Sequence, residues 1–177
     1  PITLKLVELF ADCGKRFTDA RLRVNLGGVE LENPLIVGAG WDKAGRAALA
    51  LWRLGFAAVE VGSVLEYRQP GNPKPRQFMV APGTAINWLG VNSPGMDVVA
   101  KNLSRYKNPP FKLGISIGMN KDVPHDDSPR AHAAVAERLY GYADYFAINV
   151  SSPNTPGLRK LHERGRTANI VKAVIEA

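Results

Sequence analysis

Four times along this chain, a short apolar run passes into a polar loop and then into a helix-patterned stretch. The first unit is PLIVGAG (34–40) followed by KAGRAALALWRL, which Gly55 stops, because glycine tolerates the left-handed backbone that ends a helix. The second is FAAVEVGS, a Pro/Gly-rich loop over 67–83, and SPGMDVVAKNLSRY with Ser93 as N-cap and Pro94 in the first turn. The third runs FKLGISIG, MNKDVPHDD and SPRAHAAVAERLYGY, again opening its helix with Ser then Pro. The fourth is DYFAINV, the loop SSPNTPGLRK and a last helix from about Thr167 to Ala177. Strands this short and apolar predict a parallel sheet buried under its crossover helices.

An open doubly wound sheet and a (β/α) barrel both satisfy that pattern. Gly, Asn, Ser and Lys collect just after the strand C-termini, the edge where both architectures place ligands. The first strand–helix turn reads G-A-G-W-D-K and lacks the G-x-G-x-x-G dinucleotide fingerprint, which favours a barrel, of which four units are half. Ahead of the repeat, RLRVNLGGVELENP alternates around Gly27-Gly28 and predicts a hairpin acting as lid or floor. The opening PITLKLVELFADCGKRF sets Leu6, Leu9, Phe10 and Cys13 at helical spacing. The expected domain plan is therefore an N-terminal helical segment over 1–20 and a half-barrel over 21–177. The helical segment either packs on the domain or is the remnant of a membrane-surface helix.

Composition narrows the function classes. No apolar run approaches the ~18–20 residues that span a bilayer. Cys13 is the only cysteine, so an internal disulfide and a cysteine-rich metal cluster are excluded, no metal is expected, and a reducing cytoplasmic setting is. The balance of 23 Lys+Arg against 16 Asp+Glu leaves +7, which favours anionic partners. The basic residues are scattered (Arg46, Lys74, Arg105, Arg130, Arg159), without the block that marks a nucleic-acid groove, and nucleic acid is not expected.

The post-strand loops carry the chemistry. In GAGWDKAG, Gly38, Ala39 and Gly40 let a flat ligand lie against the backbone, Asp42 can cap the helix, and Lys43 brings a cation to the site. QPGNPKPR is an extended excursion stiffened by Pro70, Pro73 and Pro75. AINWLGVNSPG offers the amides of Asn87 and Asn92, which suit the edge of a polar heterocycle. GISIGMNKD sets Ser116 within a strand and Asn120-Lys121 after it, and NVSSPNTPGLR sets Asn149, two hydroxyls and Asn154 in a loop stiffened by Pro153 and Pro156. Taken alone, GAGWDKAG, QPGNPKPR and AINWLGVNSPG read better as plain turn or surface-loop chemistry than as a site, and NVSSPNTPGLR reads as either.

Together, NP...GAGWDKAG (33–45), GFAAVEVGSV, QPGNPKPR (69–76), INWLGVNSPGMD, LGISIGMNKD and ADYFAINVSSPNTPGLR (143–159) resemble the dihydroorotate dehydrogenases, in particular their serine-type, quinone-linked branch. The resemblance implies an FMN-dependent (β/α)8 TIM barrel, here its first four βα units behind a short helix and hairpin. It implies oxidation of dihydroorotate to orotate in pyrimidine biosynthesis, with a quinone as acceptor and peripheral contact with the inner face of the cytoplasmic membrane. Ala39, Gly40, Trp41, Asp42, Lys43, Ser63, Ser116 and Asn149 would contact FMN. Lys43, Asn87, Trp88, Leu89, Gly90, Val91, Asn149 and Asn154 would hold the substrate. Ser152 would be the base that removes the C5 proton as C6 delivers hydride to the flavin. A serine hydroxyl is a weak base and needs a proton acceptor beyond it, such as a water chain, and a fixed position.

Five positions depart from the family pattern: Ser116 and Ser93 stand where it has asparagine, Met119 where it has lysine, Trp88 where it has arginine, and Val91 where it has phenylalanine. A serine at 116 that reached less far than an amide would cost FMN binding about one hydrogen bond, ~1 kcal/mol. The family continues with four more βα units that supply a flavin-contacting lysine and the phosphate site. The expectation is thus a fragment, a truncated product, or one half of a barrel completed in cis or in trans by the C-terminal half. Alternatives are a non-catalytic half-barrel that self-associates and a related flavin barrel acting on another pyrimidine.

Overall fold

The computed structural model describes residues 16–152 and 158–177. The expected N-terminal helix over 1–20 falls mostly outside them, as does Cys13. The predicted hairpin is present: β1 (Val24–Leu26) pairs antiparallel with β2 (Val29–Leu31) across Gly27 and Gly28, whose φ of 59° and 94° suit only glycine comfortably. Leu31 packs on Ala57 and Ala58 at the start of a core strand, so the hairpin is a floor beneath the sheet.

The core is a four-stranded sheet ordered β3 (Ile36–Val37), β4 (Ala58–Val64), β7 (Lys112–Ile117), β8 (Tyr145–Ile148), parallel throughout. Helices α1 (Ala48–Arg53), α2 (Met96–Leu103) and α3 (Ser128–Leu139) make the crossovers, and α4 (Arg164–Glu176) follows β8.

Side chains alternate across a strand, and the two faces of this sheet differ. Val59, Val61, Ile115 and Ile117 form one aliphatic face, all fully buried, joined in one core with Val99, Leu103, Val135 and Leu139 of the helices. The register aligns Glu60, Gly114 and Tyr145 on the other face, where the Tyr145 hydroxyl donates to Glu60 at 3.3 Å. A Cβ on Gly114 would sit 2.2 Å from the Tyr145 ring, so glycine makes room for it. Burial, with Glu60 adding to it, raises the Tyr145 phenol to about 12.

Several boundaries differ from expectation. Helix α1 starts at Ala48 because the Asp42 carboxylate draws in the backbone N–H groups of Ala44, Arg46 and Ala47, and Gly45 turns with φ 69°. A Cβ there would lie 2.6 Å from Leu103, so this glycine also allows α2 to approach. Ser93 does not cap α2: its buried Oγ accepts from the Leu65 and Gly95 N–H groups, and the helix begins at Met96 after Gly95. Ser128 is the first residue of α3, not its cap, and α4 begins at Arg164, ahead of Thr167. The expected loop over 67–83 contains β5 (Gln77–Ala81), which pairs with β6 (Thr84–Asn87) in an exposed hairpin turned by Pro82-Gly83.

Candidate active site

The C-terminal ends of β3, β4 and β8 and the hairpin β5–β6 border a cleft of about 1000 Å³. Ala39, Gly40, Trp41 and Lys43 line it from the loop after β3, and Ser63 lines it from the end of β4. Asn149 and Ser152 line it from beyond β8, with Asn87, Leu89, Gly90 and Val91 opposite. Gln77 and an apolar wall of Ile36, Leu51, Leu54 and Phe56 were not anticipated. Gln77 was legible in principle, since it pairs with Asn87 in the hairpin register and cross-strand partners share a face.

The end of β4 is built by a bulge. Val61 pairs with Ile115 but Val64 pairs with Ile117, so β4 has one residue more than β7 over this stretch. The extra residue turns Ser63, which would otherwise join the aliphatic face, toward the cleft. Its Oγ lies 2.9 Å from Ser116 Oγ and accepts from Asn149 Nδ2 at 2.6 Å. Gly62, at φ 134°, comes so close to β7 that a Cβ would lie 2.5 Å from the Ser116 carbonyl. Gly40 N–H donates to Gly62 O and Gly62 N–H to Asp42 O, tying the loop after β3 to the bulge.

Three expected contact residues line no part of the cleft. Ser116 stands behind Ser63. Asp42, 1% exposed, spends its carboxylate on the three backbone N–H groups that shape the loop presenting Lys43. Trp88 fastens the proline-rich loop: its indole N–H donates to Pro75 O at 3.1 Å, and its carbonyl accepts from Asn72 Nδ2 at 2.8 Å. Asn154 lies outside the described residues. Gln69 pins the same loop, donating to Gly90 O and Val91 O and accepting from Lys121 N–H. Asn120 exchanges two hydrogen bonds with the Tyr67 backbone, and Met119 is buried against Ala131, Leu161 and Ile170.

Lys43 is the cleft's distinctive charge. It has no ion-pair partner among the described residues, and burial, aided by Arg76, holds its ammonium below the ordinary 10.5. A desolvated, unpaired cation favours an anionic ligand. Among the described residues no group of three His, Cys, Asp or Glu side chains could hold a metal ion, and no helix is long and apolar enough to cross a membrane.

A parallel βα succession with its polar groups gathered at the strand C-termini defines a half of the (β/α)8 TIM-barrel class. The dihydroorotate dehydrogenase family model matches residues 21–177, and the chain belongs to that family. It is 41% identical over 170 residues to the dihydroorotate dehydrogenase (quinone) of Acidithiobacillus ferrooxidans, covering 94% of this chain and 47% of that one. It is 46% identical over 147 residues to the enzyme of the same name from Roseiflexus sp., covering 82% of this chain and 41% of the relative. The crystal structure of Eimeria tenella DHODH in complex with ferulenol superposes with a TM-score of 0.87 at 34% identity, covering 99% of this chain and 50% of that one. The chain thus spans about half the length of the relatives it matches.

Proposed function

We propose that this chain forms the substrate-facing half of an FMN-dependent dihydroorotate dehydrogenase of the quinone-linked type, active when the rest of the barrel accompanies it. The observation that carries the proposal is the meeting of Lys43, Asn87, Asn149, Ser63 and Ser152 around one cleft. The residues present fit a flavin ring. Gly38 and Gly40 line the cleft, and a Cβ on either would meet no protein atom within 4 Å, which leaves bare backbone against which a flat ring can lie. Ser63 and Asn149 add polar groups at its edge.

When bound, FMN supplies the two-electron acceptor for the ring oxidation. Lys43 would meet the carboxylate of dihydroorotate, and the amides of Asn87 and Asn149 would read the ring's polar edge. Ser152 Oγ, which lines the same cleft, would take the C5 proton while passing its own to water. Reduction of a quinone would bring the protein to the inner face of the cytoplasmic membrane.

The test combines this 177-residue chain with a polypeptide covering the relatives' remaining length, FMN, dihydroorotate and a soluble quinone. A flavin spectrum and orotate formation are expected. Ser152→Ala should lower kcat by ~10²–10⁴-fold, the usual worth of a general base, with FMN content unchanged. Protein that stays colourless in that mixture would sink the proposal.

A further inference from the structure

We infer that Ser116 is a positioning residue: it donates a hydrogen bond to Ser63 and so forces the Ser63 hydroxyl to point into the cleft as a donor. The inference rests on the proposed flavin reading for its ligand, but its polarity follows from hydrogen-bond bookkeeping alone.

The chain of reasoning starts at Asn149. Its Oδ1 accepts from the Ser151 backbone N–H at 3.2 Å, and a backbone N–H can only donate, so the amide orientation is settled. Asn149 therefore presents Nδ2 to Ser63 at 2.6 Å, and Ser63 Oγ accepts there. Ser63 retains one acceptor site and its own proton, and Ser116 Oγ lies 2.9 Å away. Either hydroxyl could donate in that pair, and burial decides between them. Ser116 is 3% exposed, does not line the cleft, and its Oγ has no other partner among the described residues.

If Ser63 donated, the Ser116 proton would be a buried donor without an acceptor, the costly case. If Ser116 donates, its own proton is satisfied, and the Ser63 proton, on a side chain 7% exposed, turns to the one side left, the cleft that Ser63 lines, where a ligand acceptor would satisfy it. There it stands beside the second N–H of Asn149, and the pair forms a two-donor mark that reads an acceptor, a carbonyl oxygen or an unprotonated ring nitrogen. The serine at 116 thus acts through Ser63 and needs none of the reach that an asparagine would have.

The test uses Ser116→Ala, Ser116→Thr, Ser63→Ala and the Ser63→Ala/Ser116→Ala pair. Fluorescence titration with FMN should show Ser116→Ala binding about fivefold more weakly, the worth of one hydrogen bond, with Ser116→Thr restoring most of it. The double variant should bind no more weakly than Ser63→Ala, because Ser116 acts only through Ser63. Additive losses, or an alanine variant that binds like the parent, would overturn the relay. The Asn149 side-chain amide resonances give a readout without flavin: they should move in Ser116→Ala and return in Ser116→Thr. Unmoved resonances overturn the relay, whereas moved resonances in a protein that takes up no FMN support it and count against the flavin reading instead.

Discussion

The two faces of the parallel sheet are built to opposite rules. Toward the helices, Val59, Val61, Ile115 and Ile117 are fully buried aliphatic side chains with no polar atom to satisfy. On the opposite face, Glu60, Ser116, Tyr145 and, past the strand end, Asn149 are polar and tied to one another or to Ser63 by hydrogen bonds. Burial of aliphatic surface stabilises in proportion to area, whereas buried hydrogen bonds contribute little net energy but fix orientation. One face therefore carries stability and the other carries geometry.

The largest effect is expected at Gly62, where the bulge joins the two faces. Gly62→Ala would place a Cβ 2.5 Å from the Ser116 backbone carbonyl at a φ of 134°, and neither neighbouring strand can yield without losing the β4–β7 register. The expected cost is about 4 kcal/mol or more, in the exceptional range for one substitution, read as a drop in denaturation midpoint or loss of soluble protein. A variant within about 1 kcal/mol of the parent would show that the bulge is soft and that Ser63 is not held by it.

That bulge also marks where legibility ended. The four-unit repeat, its parallel sheet and the floor hairpin follow from periodicity, because apolar pattern and turn glycines are local signals. The rule that ligands sit at strand C-termini pointed to Gly38, Ala39, Gly40, Lys43, Asn87 and Asn149, whereas Trp41, Ser63, Leu89, Gly90, Val91 and the role of Ser152 came only from the family resemblance. A bulge leaves no such signal, since one extra residue in GSV changes no pattern; Ser116, expected at the ligand from the family resemblance, stands behind the Ser63 that the bulge turns. Ser93 and Asp42 were read as helix caps from their neighbours in sequence. Ser93 serves Leu65, 28 positions away, a partner only the tertiary fold supplies, while Asp42 does cap, but a turn ahead of the helix.

A paired substitution tests the contrast between faces directly. Ile115→Ala removes a fully buried side chain from the aliphatic face and should cost ~2–5 kcal/mol, because the helices above it cannot collapse into the space. Tyr145→Phe on the opposite face removes one hydroxyl and its 3.3 Å hydrogen bond to Glu60, and should cost ~1 kcal/mol or less. Equal losses in urea titrations would break the division of roles. A Tyr145→Phe loss above that of Ile115→Ala would reverse it.

The smallest effect is a pH dependence, and it belongs to the helical layer over the aliphatic face. His132 of α3 is fully buried; its Nδ1 lies 2.7 Å from the Ser128 carbonyl, and its Nε2 has no hydrogen-bond partner among the described residues. Burial lowers its pKa below the ordinary 6.5, with the Ser128 carbonyl opposing more weakly. The folded chain then binds fewer protons than the unfolded one once the pH falls below about 6.5, so stability is whole above that value. It declines with acid until the pH passes the lowered folded value, below which both states carry the proton and this contribution levels off. His132→Gln, which keeps a donor for the Ser128 carbonyl but does not titrate, should flatten that decline between pH 6.5 and mild acid while leaving the neutral-pH stability lower by a modest packing loss. Thermal midpoints of the parent and variant that fall in parallel with acid would remove His132 as the cause.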